Sequence, residues 1–235
     1  MADLPYGTTR CKWDTVIDLP ELWRAYERCV KPNGAILLFG QTPFDKVLGA
    51  SNLKMLRYEW VWEKPHATGF LNANRMPLKA HENILVFYKK LPTYNPQHTH
   101  GHPPVNSYTK RVAVQNNTVL YGRMNTELSG GGSTSRYPRS VVTFSADTQR
   151  LNLHPTQKPV ALMEYLVKTY TNAGDRVLDN TAGSGTTGEA CANLGRAYTL
   201  IESDPQIFLT AANRLGLATR PESLKAIDDI LKSMQ

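Results

Sequence analysis

A chain of 235 residues with 41% hydrophobic side chains can bury a real core, as one medium domain or one domain with a sizeable insertion. No run approaches the roughly 20 apolar residues of a membrane-spanning helix, and the opening MADLPYGTTRCKWD has no apolar stretch of the signal-peptide kind, so a soluble cytoplasmic protein is expected. The formal charge is +7, and the three cysteines, Cys11, Cys29 and Cys191, form no CxxC pair, which argues against a disulfide framework or structural zinc.

In chain order, the first predicted element is a helix over residues 20–31, where Leu22, Tyr26, Cys29 and Val30 recur at helical spacing behind Pro20. Pro32-Asn33-Gly34 breaks it, and Ala35 to Phe39 reads as a strand buried on both faces. Tyr58–Trp62 and Asn83–Tyr88 read as two more strands. From Leu91 to Leu153 the chain turns rich in Pro, Gly, Asn, Ser, Thr and His and loses its periodicity, the mark of a long functional or disordered loop. Residues 89–150 carry eight basic side chains against two acids, Glu127 and Asp147, a local excess that suits a polyanion and that equally fits a merely soluble basic surface. A helix over 160–171, a strand at 176–179, a helix from 189, a strand at 197–201 and a helix carrying Ile207, Phe208, Ala211, Ala212 and Leu215 follow, and Leu224 to Met234 has the spacing of a packed terminal helix. Strands alternating with helices predict an α/β fold with a mainly parallel sheet, whose ligands bind at the carboxyl ends of the strands.

Two short constellations carry chemistry. Val177-Leu178-Asp179 ends a strand in an acid, and Asn180 to Thr187 (NTAGSGTT) is a small-residue turn opening a helix. Its glycines let backbone approach a ligand, and amides at the helix start can hold an anion. Glu202, at the end of the next strand, can accept bonds from ribose hydroxyls. The pattern is neither GxGxxG nor a phosphate loop, so any nucleoside-containing cofactor fits, as does a tight turn with no ligand. The second constellation is Asp3-Leu4-Pro5-Tyr6. A carboxylate and a backbone carbonyl can accept both N–H bonds of a base's exocyclic amine, which localises its lone pair and stabilises the positive charge that develops on attack. Tyr6 can stack on a flipped-out base. Alone, the tetrapeptide equally describes a flexible terminus. Histidines 98, 100 and 102 have no acid or cysteine close by, so no metal site is expected.

Taken together, three segments resemble the DNA amino-methyltransferases with the permuted beta motif order, of a phage or prophage-like kind. Asp3 to Tyr6 is similar to the family's DPPY motif, His154-Pro155-Thr156-Gln157-Lys158-Pro159 matches its HPTQKP motif, and Asp179 to Thr187 resembles its DPFAGSGTT loop, with Glu202 at the place of its ribose-binding acid. The resemblance covers roughly residues 3–90 and 154–216. It implies a Rossmann-like methyltransferase fold in which 1–90 is the catalytic half, 91–153 a target-recognition insertion and 154–235 the cofactor-binding half. It implies methyl transfer from S-adenosylmethionine to N6 of a flipped adenine in double-stranded DNA, as in restriction-modification, with N4 of cytosine as the alternative. Aspartate at the start of the motif favours adenine, since the cytosine enzymes more often carry serine.

By the same resemblance, Asp3 and the Leu4 carbonyl hold the amine, Pro5 stiffens the turn and Tyr6 stacks on the base. Asp179, Gly183, Gly185 and Glu202 hold the cofactor. Thr186 and Thr187 take its carboxylate, and His154, Thr156 and Lys158 border that end. Lys110, Arg111, Arg123, Arg136 and Arg139 contact DNA phosphates. No metal is required, and a homodimer is compatible with the family. Two departures stand out: Leu4 replaces a proline, and Thr181 stands where the family usually has phenylalanine. In the family a central strand precedes the catalytic motif, whereas here only Met1 and Ala2 precede Asp3, so the sheet is expected to lack that strand and the chain to be truncated. An inactive remnant that binds only DNA or a partner, and a methyltransferase of RNA or protein, are the competing readings.

Overall fold

The structure is a computed structural model that describes residues 1–7, 14–111, 127–145 and 157–217, with backbone alone for 108–111 and 127–129. It divides into two compact units, Met1–Asn95 with Ser140–Gln235, and Pro96–Arg139.

In the first unit, α1 (Leu19–Cys29) starts where the Asp18 carboxylate accepts the Glu21 amide, with proline in its first turn, and it buries Leu19, Leu22, Trp23 and Tyr26. Strand β1 (Ile36–Gly40) is buried at every position. A short helix, α2 (Phe44–Ser51), follows; its eight residues offer too few apolar positions to announce a period. Strands β2 (Leu56–Thr68) and β3 (Lys79–Phe87) pair antiparallel, with Trp60 opposite Ile84 and Trp62 opposite Glu82. Strand β6 (Val141–Thr143) pairs parallel with β2, giving the order β1-β3-β2-β6.

The expected α/β class holds, but the described sheet is mixed rather than mainly parallel. The cause is the β2–β3 connection, which is a projecting arm and not a crossover helix, and such a connection makes its strands antiparallel. Farther along, α3 (Val160–Tyr170), β7 (Arg176–Asp179), α4 (Thr186–Asn193), β8 (Ala197–Leu200) and α5 (Pro205–Arg214) alternate as expected, with β7 and β8 parallel. The anticipated helix over 224–234 lies outside the described residues.

Met1 and Ala2 lie between the two sheets. The Ala2 amide donates to Leu37 O at 3.0 Å and its carbonyl accepts Phe39 N at 3.1 Å, a parallel pairing with β1, while the Met1 amino group donates to Leu178 O of β7 at 2.6 Å. These two residues stand where the resemblance places a central strand.

Alternation along β1 sends Ile36 and Leu38 to one face and Leu37 and Phe39 to the other. The first face, with Phe87 of β3, packs on α1 and α2 through Leu22, Trp23 and Leu48; the second packs on α3 through Leu162, Met163 and Leu166. Both ends of the inserted segment are pinned to the first unit. The Asn95 amide donates to Thr169 O at 2.7 Å and its side chain to Lys168 O and Thr171 O at 3.1 Å each, and Val61 N donates to Ser140 O at 2.7 Å.

Among its described residues the second unit is held by backbone pairing, which gives no periodic signal in the sequence. Strand β4 (Tyr108–Arg111) runs antiparallel to β5 (Glu127–Gly130), and Thr99 pairs with Arg136. Among the described residues no helix is long and apolar enough to cross a membrane.

Phe87 is fully buried, its ring centroid 4.8 Å from that of Trp23. Phe87→Ala is expected to lower unfolding free energy by about 3–5 kcal/mol, read as a lower urea midpoint with an unchanged slope.

Candidate active site

Pairing of Ala2 with Leu38 carries Asp3 to the carboxyl end of β1. Leu4 is 3% exposed and packs in the cluster of Leu22 and Trp23, so the departure from proline places an apolar anchor in the core. The Tyr6 hydroxyl donates to Asp3 Oδ1 at 2.6 Å, and its ring stacks on Phe44 with centroids 5.1 Å apart. Burial, then the Asp3 charge, push the Tyr6 hydroxyl far above its ordinary range, so it remains a donor. Gly7 N donates to Asp14 Oδ1 at 2.8 Å, which ties down the turn.

The other oxygen of Asp3 is held by Lys158, Nζ to Oδ2 2.7 Å. That ammonium also reaches Glu82 Oε2 at 2.9 Å, and Lys64 pairs with Glu82 Oε1. Carboxylate and ammonium thus alternate through Asp3, Lys158, Glu82 and Lys64. Lys158 also lies 5.1 Å from the Phe39 ring centroid and 6.0 Å from that of Trp62. Burial acts to lower the Lys158 pKa, but Asp3 and Glu82 overcome it and raise the value. Burial likewise acts to raise Glu82, and the ammonium groups of Lys158 and Lys64 hold it down at about 2. Sequence reasoning put Lys158 beside the cofactor; among the described residues it bonds Asp3 and Glu82. Glu82 and Lys64 were missed. The available signal was an acid opening the wholly apolar run Ile84–Phe87.

The glycine-rich turn lies next to this cluster through the Met1–Leu178 bond. Asp179 is buried, accepts Thr181 N at 3.1 Å and is hydrogen-bonded by the Thr187 hydroxyl. Burial raises its pKa, opposed by the amino terminus and those bonds and assisted by the charge of Asp3. Glu202 Oε2 accepts Gly183 N at 2.8 Å and its Oε1 accepts Asp204 N at 3.0 Å. Gly183 has φ +53°, and among the described residues a Cβ there would meet nothing within 4 Å, so the described part of the turn leaves room beside it. A Cβ on Gly185 would come 3.0 Å from that of Ala211, so this glycine serves close packing of α5. The Thr186 hydroxyl accepts from Arg214 at 3.1 Å, leaving the backbone at the start of α4 as the group suited to an anion. Thr181 Oγ1 is buried with no partner among the described residues.

His154, Thr156 and Arg123 lie outside the described residues, and Lys110 and Arg111 are placed on β4 by backbone alone. Arg136 donates to the carbonyls of Ser133, Ser135 and Pro103, which commits its guanidinium to holding the second unit together, whereas Arg139 is exposed. His98 packs on Tyr137, His100 bonds Ser135 and His102 bonds Thr99.

The model of the N6_N4_Mtase family, described as DNA methylase, matches residues 1–213. The chain belongs to this family. Among N6_N4 methylases it is similar to the type II methyltransferase M.HpaI of Haemophilus parainfluenzae, with 26% identity over 89% of this chain and 63% of that enzyme. It is 41% identical to the DNA adenine methyltransferase YhdJ of Escherichia coli K12 over 28% of this chain and 22% of that one. The matches thus span less than two thirds of the length of these curated relatives. Among solved structures, the M1.HpyAVI–SAM complex superposes with a TM-score of 0.58 at 26% identity, over 91% of this chain and 86% of that one.

Glu82→Gln leaves the buried Lys158 ammonium and the half-buried Lys64 ammonium with less compensation and is expected to cost about 3–5 kcal/mol at neutral pH. Because the folded pKa of Glu82 is depressed, its contribution is fully present above its ordinary value of 4.5 and lost as pH falls toward about 2. Urea unfolding of wild type and variant should converge across that window; a gap independent of pH would contradict the assignment.

Proposed function

We propose that this chain transfers a methyl group from S-adenosylmethionine to N6 of an adenine flipped out of duplex DNA. The observation that carries the reading is the convergence of Asp3 and Tyr6, held by Lys158, beside the turn that follows Asp179, about three quarters of the chain beyond the tetrapeptide. Family membership and the likeness to YhdJ support DNA and adenine, as does the aspartate that opens the tetrapeptide.

The residues present fit the cofactor. Among the described residues the turn leaves room beside Gly183 and carries an orphaned hydroxyl at Thr181. Glu202 uses one bond on each oxygen and retains lone pairs for two ribose hydroxyls. Amides at the start of α4 suit the methionine carboxylate, and the solved M1.HpyAVI–SAM complex shares this fold. When bound, S-adenosylmethionine supplies an electrophilic methyl group on a sulfonium.

In this reading Asp3 and the Leu4 carbonyl accept hydrogen bonds from the two amine N–H groups, localising the nitrogen lone pair and stabilising its developing positive charge. Lys158 fixes the rotamer of Asp3, and one oxygen exchanges the Tyr6 hydroxyl for the substrate amine. The Tyr6 ring, backed by Phe44, offers a stacking surface for the base. Arg139, Lys110, Arg111 and Arg123 contribute phosphate contacts.

Incubation with plasmid DNA and tritiated S-adenosylmethionine, followed by nucleoside separation, is expected to place the label in N6-methyladenine. Label in N4-methylcytosine would change the base, and a chain that binds cofactor but labels no DNA would overturn the activity. Asp3→Ala should slow transfer about 100-fold or more, the scale for losing a group that stabilises transition-state charge, with cofactor affinity retained. Glu202→Ala should weaken cofactor binding in calorimetry by about 10-fold or more, since bonds to a charged group carry roughly 1.5–3 kcal/mol.

A further inference from the structure

The β2–β3 connection belongs to neither constellation, yet it rises from the base of the charge network. Every residue from 65 to 79 is exposed. At its tip Phe70 is 80% and Leu71 100% exposed, and Met76 and Leu78 follow at 50% and 40%. Large apolar groups clustered in solvent point to an interaction surface.

The tip is not slack. Phe70–Asn72 forms a 3-10 turn behind Gly69, which has φ +88°, and Asn72 N to Gly69 O, Ala73 N to Phe70 O, Arg75 N to Asn72 O and Met76 N to Asn72 O close successive bonds of 2.8–3.0 Å. The apolar side chains are therefore presented on an internally bonded knob. Pro65 and Pro77 remove backbone donors from the arm, which disfavours its pairing with another sheet edge.

Charge then selects the occupant. Residues 65–81 contain Arg75, Lys79, His66 and His81 and no acid, Lys64 at their root being paired with Glu82. A second copy of the chain would set this cationic arm against its own charge, whereas a duplex offers phosphates to the stem and stacked bases to the tip. Six residues separate Lys64 from Phe70, an extended reach of at most about 20 Å, ample for a major groove about 8.5 Å deep. Lys64 and Glu82, at the root of the arm, belong to the network that holds Asp3.

We infer that the 65–79 arm is a wedge that inserts Phe70 and Leu71 between base pairs beside the target nucleotide, its basic stem resting on phosphates. This rests on the reading of the chain as a DNA methyltransferase. Apolar side chains driven between base steps unstack them, and the unstacked duplex surrenders a base more readily.

The test uses the full chain and a closed-circular plasmid relaxed by a topoisomerase in its presence, with linking number read on agarose after deproteinisation. The wild-type protein is expected to lower the linking number. The F70A/L71A double variant, altered only at exposed positions, should leave it at the protein-free value. Its affinity for the same plasmid by gel shift should stay within about threefold, because phosphate contacts dominate affinity. Equal unwinding by both proteins would overturn the wedge, and so would a double variant whose only change is conversion of a dimer to a monomer in sedimentation. A wild-type protein that unwinds plasmid but transfers no methyl group would keep the wedge and sink the catalytic reading. One with no affinity for plasmid would sink both.

Discussion

The ammonium of Lys158, buried between the carboxylates of Asp3 and Glu82, is the contact on which the candidate site depends. An isolated ammonium could not stay charged there; desolvation would cost several kcal/mol and drive it neutral. Two carboxylates at 2.7 and 2.9 Å reverse that balance and oblige three remote stretches of chain to meet: the opening tetrapeptide, the start of β3 and the segment entering α3. Lys64 neutralises the far side of Glu82. Asp3 is thereby oriented from two sides, by Lys158 anchored on Glu82 of β3 and by Tyr6 of its own turn.

A second layer of organisation governs the glycine-rich turn. Its two acids are engaged by backbone amides, Asp179 with Thr181 and Glu202 with Gly183, so the turn is shaped by anions on both sides. Nothing in this arrangement needs a helix dipole alone to define a site. Burial chiefly raises the pKa of Asp179, and the charge of Asp3 adds to that rise, so charge at one constellation is felt at the other.

Period and composition made α1, β1, α3, β7 and β8 legible, because each carries its apolar pattern within its own run, a helical stripe in α1 and a continuous run buried on both faces in β1. The turn at 179–187 was legible for a local reason too: an acid, then glycines, at a strand end. What escaped was relational. The antiparallel course of β3 depends on a connection that looks like any loop. Helix α2 is too short to show a period, and the described part of the second unit is held by backbone bonds and by Arg136, which leave no apolar pattern. The partnership of Lys158 with Glu82 joins residues 76 apart, and no spacing rule links them. Tyr6 read as a stacking residue also bonds Asp3, which only coordinates could reveal.

The pins at Asn95 and Ser140 bear on how such a protein diversifies. The segment between them leaves the main unit through backbone amides and carbonyls, together with one asparagine side chain that lies just outside it. None of these bonds reads the identity of residues 96–139. That stretch can drift, lengthen or be exchanged wholesale while its sockets on α3 and β2 keep their shape. Novelty in one region and constancy in the other are thus compatible in a single chain, a division of evolutionary labour written into two short sets of hydrogen bonds.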